Sequence, residues 1–186
     1  MKNKKGFTLV ELLAVIVILG VLLMIAVPAV QNVIKKTKNN ATQKQAELFI
    51  DAAKKMAIID EATSDMVIYK LRDLDSDVDT NRFTGMVVAL KENGSYKYYI
   101  YLNDSVNKKT IGNNNNDIFE FASEDKINEK VTDGVKEFKE GSTQIIKVNN
   151  NTYSYSNNSN TLNKYYPAGE EVTVAIDNNT NYKGVV

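Results

Sequence analysis

Among the ionisable residues of this 186-residue chain, Glu11 stands apart, because it lies inside an apolar run from Phe7 to Val30. Thr8 and the special residues Gly20 and Pro28 are the other interruptions. A carboxylate within such a run costs about 2.5–3.5 kcal/mol on membrane-insertion scales, so it needs a partner or a task. The preceding helix turn offers no cation except an α-amino group at Phe7, freed if the chain were cut between Gly6 and Phe7. That amine would sit one helical turn from Glu11, or would come from a neighbouring chain.

Other candidate chemistry is sparse. Asp73, Asp75, Asp77 and Asp79 alternate and are followed by Asn81, like the opening of a calcium loop. A helix–loop–helix calcium site also needs glycine at the sixth position and glutamate at the twelfth. For starts at Asp73 or Asp75 those positions hold Val78 or Thr80, and Thr84 or Met86. The segment therefore reads as a solvated acidic loop, with a looser calcium site left open. Glu170-Glu171 has no identifiable partner for acid–base work. No phosphate-binding glycine loop, nucleophile elbow or zinc signature occurs. The chain has no cysteine and no histidine, which removes disulfides, thiolate metal sites and the commonest general base. The expectation is no enzyme, no cofactor and no metal.

Charge sharpens the exclusions. The 23 basic and 23 acidic residues cancel, whereas nucleic-acid binders usually carry a basic excess. Arg72 and Arg82 are the only arginines, and asparagine crowds the second half, as in Asn113-Asn114-Asn115-Asn116. Both features read as coding bias. Triplets such as Asn93-Gly94-Ser95 are expected by chance in so asparagine-rich a chain.

The elements that must position Glu11 begin at the N-terminus. Met1 to Gly6 is short and basic, with Lys2, Lys4 and Lys5. As a helix, Phe7 to Val30 would be about 36 Å long at 1.5 Å per residue. A hydrocarbon core of about 30 Å can be spanned by that length. The leading lysines predict a cytoplasmic N-terminus, although Lys35, Lys36 and Lys38 weaken the asymmetry. A secretory signal cut near Val27-Pro28-Ala29, or a plain anchor, would leave Gly-Phe-Thr-Leu before an intramembrane glutamate unexplained.

The stretch Lys4-Lys5-Gly6-Phe7-Thr8-Leu9-Val10-Glu11-Leu12 resembles the class III signal of type IV pilins and their relatives. The resemblance implies that a prepilin peptidase cleaves between Gly6 and Phe7 and methylates the Phe7 amine. It implies that Glu11 recruits the next subunit by pairing with a neighbour's Phe7 terminus. Gly20 and Pro28 fall where pilin helices are weakened, and the stretch can become extended on assembly. Each disfavours helix, by about 1 and 3 kcal/mol.

The helix is expected to continue to about residue 60. Val30, Val33, Ile34, Thr37, Ala41, Leu48, Ala52, Met56 and Ile59 recur at three- or four-residue spacing and suggest its packing stripe. Met66 to Leu74 reads as a short helix in a loop. Phe83–Leu90 and Ser95–Leu102 read as a hairpin around Asn93-Gly94. Within it Tyr96, Tyr98 and Ile100 would pack on the helix while Lys97, Tyr99 and Tyr101 face solvent. Ser123 to Thr132 suggests another short helix capped by Ser123. Gln144–Val148 and Thr152–Tyr155 suggest a second hairpin, and Glu171–Ile176 a final strand.

The expected fold is thus α+β, a long N-terminal helix packed on a C-terminal antiparallel sheet. Residues 1–6 would be a leader, 7–60 the helix with 7–30 as membrane and assembly segment, and 61–186 the globular domain. By resemblance the chain is a structural subunit, a major pilin serving adhesion, aggregation or surface motility. A pseudopilin of type II secretion or a competence pilin for DNA uptake is the alternative. Its partners would be further copies of itself, the prepilin peptidase and a membrane assembly machinery. It would lie in the cell membrane before assembly and in an extracellular filament after. The lack of cysteine suggests a Gram-positive source.

Overall fold

The computed structural model describes residues 6–59, 64–74, 78–136, 143–156, 161–164, 171–176 and 180–185. Two compact units divide the chain, Met1–Asn40 and Ala41–Val186. One helix, α1 (Leu9–Ile59), supplies the first unit's ordered structure and continues into the second. Gly20 and Pro28 both lie inside it without interrupting it.

In the second unit, α1 residues Thr42, Ala46, Phe49, Ile50, Ala53 and Ala57 are buried. Their spacing of three and four residues defines one helix face. The expected stripe lay beside it: Leu48 and Ile59 are 61% and 71% exposed, whereas Phe49 is 2% exposed. Small alanines let the backbone approach the sheet, so the packing face is less hydrophobic by composition than its flank.

The sheet that receives this face has the order β1–β2–β3–β4–β8, every pair antiparallel. Its strands are β1 (Met66–Lys70), β2 (Phe83–Glu92), β3 (Ser95–Asp104), β4 (Lys109–Ile111) and β8 (Val131–Asp133). A two-residue strand, β7 (Ala122–Ser123), also pairs with β3. The β2–β3 hairpin forms as expected. Asn93 (φ 51°) and Gly94 (φ 85°) both take the positive φ that a tight two-residue turn requires. Met66–Lys70 corrects the helix expected there. Its run of Val67, Ile68 and Tyr69 pairs along β2, and only Leu71–Leu74 (α2) is helical.

A second sheet, β11–β10–β9–β6–β5, lies across the opposite face of β2 and β3. It comprises β5 (Asn113–Asn115), β6 (Ile118–Glu120), β9 (Thr143–Val148), β10 (Asn151–Ser156) and β11 (Thr161–Lys164). The β9–β10 hairpin turns at Asn149-Asn150, as expected, while β6 and β9 are parallel. This sheet overturns the solvent-facing tyrosine row. Tyr99 and Tyr101 are buried against Phe119, Phe121, Ile146, Val148 and Tyr155. The Tyr101 and Phe119 rings meet edge to face, with centroids 5.2 Å apart. Tyr96 and Tyr98 lie at the margin of the helix-side core, as expected.

Two further expectations change. Ser123–Thr132 contains a 3₁₀ helix, Glu124–Glu129, and Ser123 makes no side-chain cap to it. Its hydroxyl is hydrogen-bonded to the Asp125 carboxylate instead. Strand β12 (Glu171–Ile176) is followed by β13 (Thr180–Val185), and the two pair as a separate hairpin. The α+β class, with the long helix packed on an antiparallel sheet, stands.

Candidate functional site

The candidate site at the N-terminus is built by the first turn of α1. Gly6 and Phe7 precede the helix and are exposed, Phe7 at 90%. The peptide bond between them therefore lies outside any helical hydrogen-bond ladder. Thr8 occupies the position just before the first helical residue. Its carbonyl accepts from the Leu12 N–H at 3.2 Å, closing the first turn.

Glu11 folds back onto Thr8. The Thr8 backbone N–H donates to Glu11 Oε2 at 2.8 Å, and the Thr8 hydroxyl donates to the same oxygen at 3.0 Å. In return the Glu11 N–H donates to Thr8 Oγ1 at 3.3 Å. This is the reciprocal capping box, in which two otherwise unsatisfied backbone donors at a helix start find side-chain acceptors. The carboxylate also sits where the positive end of the helix dipole favours it. Glu11 thus has local partners in the uncleaved chain, which the search for a cation alone overlooked. The signal was present, since Thr-x-x-Glu ahead of an apolar run marks a helix start.

Beyond this turn the helix is apolar and uncovered within its unit. Large side chains from Leu9 through Ile34 are exposed. By length and composition α1 can cross a membrane. Gly20 has open space around the position a Cβ would take.

The acidic candidates do not gather. Asp79 Oδ1 accepts from the Asn81 N–H at 3.0 Å in a local turn, and Asp73 lies 3.7 Å from Arg72 Nε. Asp75, Asp77 and Glu170 lie outside the described residues, as does the side chain of Glu171. No group of three or more carboxylates able to hold a metal ion occurs among the described residues.

A different carboxylate, not singled out by sequence, holds the second unit together. The Asp104 side chain is 0% exposed. Arg82 donates from Nε to Oδ1 and from a terminal nitrogen to Oδ2, both at 3.2 Å. Thr42 of α1 donates its hydroxyl at 3.1 Å. Asn107 donates its side-chain amide at 2.7 Å and its backbone N–H at 3.0 Å. Burial pushes this carboxyl up, but the hydrogen bonds from Arg82, Asn107 and Thr42 outweigh burial and hold it below its ordinary value. Its partners come from residues 42, 82 and 107, so no local pattern announces it.

Residues 1–27 match the family model described as the prokaryotic N-terminal methylation motif. No curated protein and no solved structure matches the chain. The match covers the leader, Gly6, Phe7, Glu11 and Gly20, and stops just before Pro28. A methylation motif followed by an uncovered apolar helix and a helix-on-sheet domain supports a type IV pilin-like protein.

Proposed function

We propose that this chain is the repeating subunit of a type IV pilus, cut between Gly6 and Phe7, methylated at Phe7 and polymerised through α1. The match of residues 1–27 to the methylation motif carries the reading. The exposed Gly6-Phe7 segment supports cleavage there, since peptidases act best on backbone outside regular structure. Residues 1–6 are then the leader, 7–60 the helix and 61–186 the globular domain. Before assembly the apolar segment lies in the cell membrane, N-terminus inward, and afterwards packs among other copies. Leu48, Ile58 and Ile59, exposed on the distal part of α1, extend the apolar surface available to neighbours. Gly20 and Pro28 lower the cost of extending the helix during that transfer. A prepilin peptidase and a membrane assembly machinery are the partners. The filament serves adhesion, aggregation or surface motility, and the lack of cysteine suits a Gram-positive source.

Glu11 changes roles in this scheme. In the precursor it caps its own helix. After cleavage, the Phe7 amine of a neighbouring copy competes for the same oxygens. The test separates the two roles. Glutamine can serve in a capping box, so Glu11→Gln keeps the cap and removes the charge, whereas Glu11→Ala removes both. Mass and N-terminal analysis of material sheared from cells should give a chain beginning at methylated Phe7. Filaments should disappear in both variants while subunit persists in the membrane. Normal filaments from Glu11→Gln would refute charge pairing, and a mature chain starting at Met1 or after Ala29 would refute the pilin reading.

A further inference from the structure

A cleft of about 730 Å³ opens where β3, β7 and the 3₁₀ helix meet the end of β6 and the β9–β10 turn. That volume falls in the range of sites for small ligands, about 300–1,000 Å³. Three lysines line it: Lys97 on β3, Lys126 in the 3₁₀ helix and Lys130 beyond it. None takes part in an ion pair among the described residues. The cleft's carboxylates, by contrast, are engaged. Glu124 is paired with Lys54, and Glu120 with Lys147 at 3.6 Å. Asp125 accepts from the Ser123 hydroxyl.

Glu92 is held differently. Its Oε1 accepts from the Tyr99 hydroxyl at 2.8 Å and from the Asn149 amide at 2.9 Å. Two donors fix this carboxylate, and its Oε2 has no hydrogen-bond partner among the described residues. The cleft therefore combines three ammonium groups outside ion pairs with a prepositioned acceptor and a side-chain amide. A nucleic acid strand fits this poorly. It carries a charge at every nucleotide, and Glu92 and Asp125 would repel it. A ligand with sparse negative charge and many hydroxyls fits both signs.

We propose that this cleft binds an anionic oligosaccharide of the uronic-acid class. Its carboxylate lies against Lys97, Lys126 and Lys130, and its hydroxyls donate to Glu92 Oε2 and bond the Asn149 amide. The inference does not depend on polymerisation and extends the reading above from filament subunit to ligand-binding subunit.

Calorimetric titration of the full chain in detergent micelles tests it, with tetragalacturonate as probe. Cellotetraose serves as the neutral control and a short oligothymidylate as the polyphosphate control. Tetragalacturonate should bind, with both controls weaker by about tenfold or more, the loss expected for one charge-assisted hydrogen bond. A Lys97→Gln/Lys130→Gln double variant, with unchanged circular dichroism and unfolding midpoint, should lose affinity to a similar degree. No binding of tetragalacturonate, equal binding of either control, or unchanged affinity in the folded double variant would overturn the proposal.

Discussion

Glu11 and Asp104 are both carboxylates held by hydrogen-bond donors, but the donors differ in sequence distance. Those of Glu11 lie three residues away on Thr8, so the arrangement forms with the helix itself. Those of Asp104 come from α1, from Arg82 ahead of β2 and from the loop after β3, so it forms only when these meet. The depressed carboxyl of Asp104 sets a pH dependence. A carboxylate held below its unfolded value contributes stability that is fully present above the unfolded value, near 3.8. That contribution is lost as pH falls through the folded value. Urea midpoints of the full chain in micelles should therefore drop below about pH 4 more steeply than in Asp104→Asn. Parallel profiles for the two proteins would show that Asp104 does not carry the effect.

At the scale of the element, α1 shows how a hydropathy stripe can mislead. Leu48, Met56 and Ile59 are the larger apolar residues, yet the sheet takes the neighbouring face, with its three alanines around Phe49 and Ile50. Close approach of helix and sheet favours small side chains, and one large ring fills the remaining gap. Phe49 supplies it, meeting Phe83 edge to face at 6.0 Å between centroids. Phe49→Ala should cost about 3–5 kcal/mol of unfolding free energy. Leu48→Ala should change it by no more than about 0.5 kcal/mol, since the residue is exposed in the subunit. Chemical unfolding of both variants checks the pair, and similar losses would restore the original stripe. The β2–β3 hairpin was legible because its turn chemistry is local. The burial of Tyr99 and Tyr101 was not, because alternation along β3 does not reveal a second sheet covering the other face.

At the scale of the molecule, the two units have different physical needs. The second contains two apolar clusters of its own, one between α1 and the first sheet, one between the sheets. The first presents an apolar helix with no cover of its own. A chain beginning at Lys35 should accordingly stay in solution without detergent and unfold at nearly the full chain's urea midpoint. Aggregation of that fragment, or a large fall in its midpoint, would mean that the second unit depends on the first. The sequence by itself determined the N-terminal signal, the apolar helix and the two central hairpins, since these follow from residue type, periodicity and turn chemistry within a few neighbours. Tertiary structure alone decided which face of α1 is buried, how the second sheet covers the tyrosines, the Asp104 cluster and the lysine-lined cleft. Each of these joins residues tens of positions apart, and contacts between distant residues leave no mark on local sequence pattern.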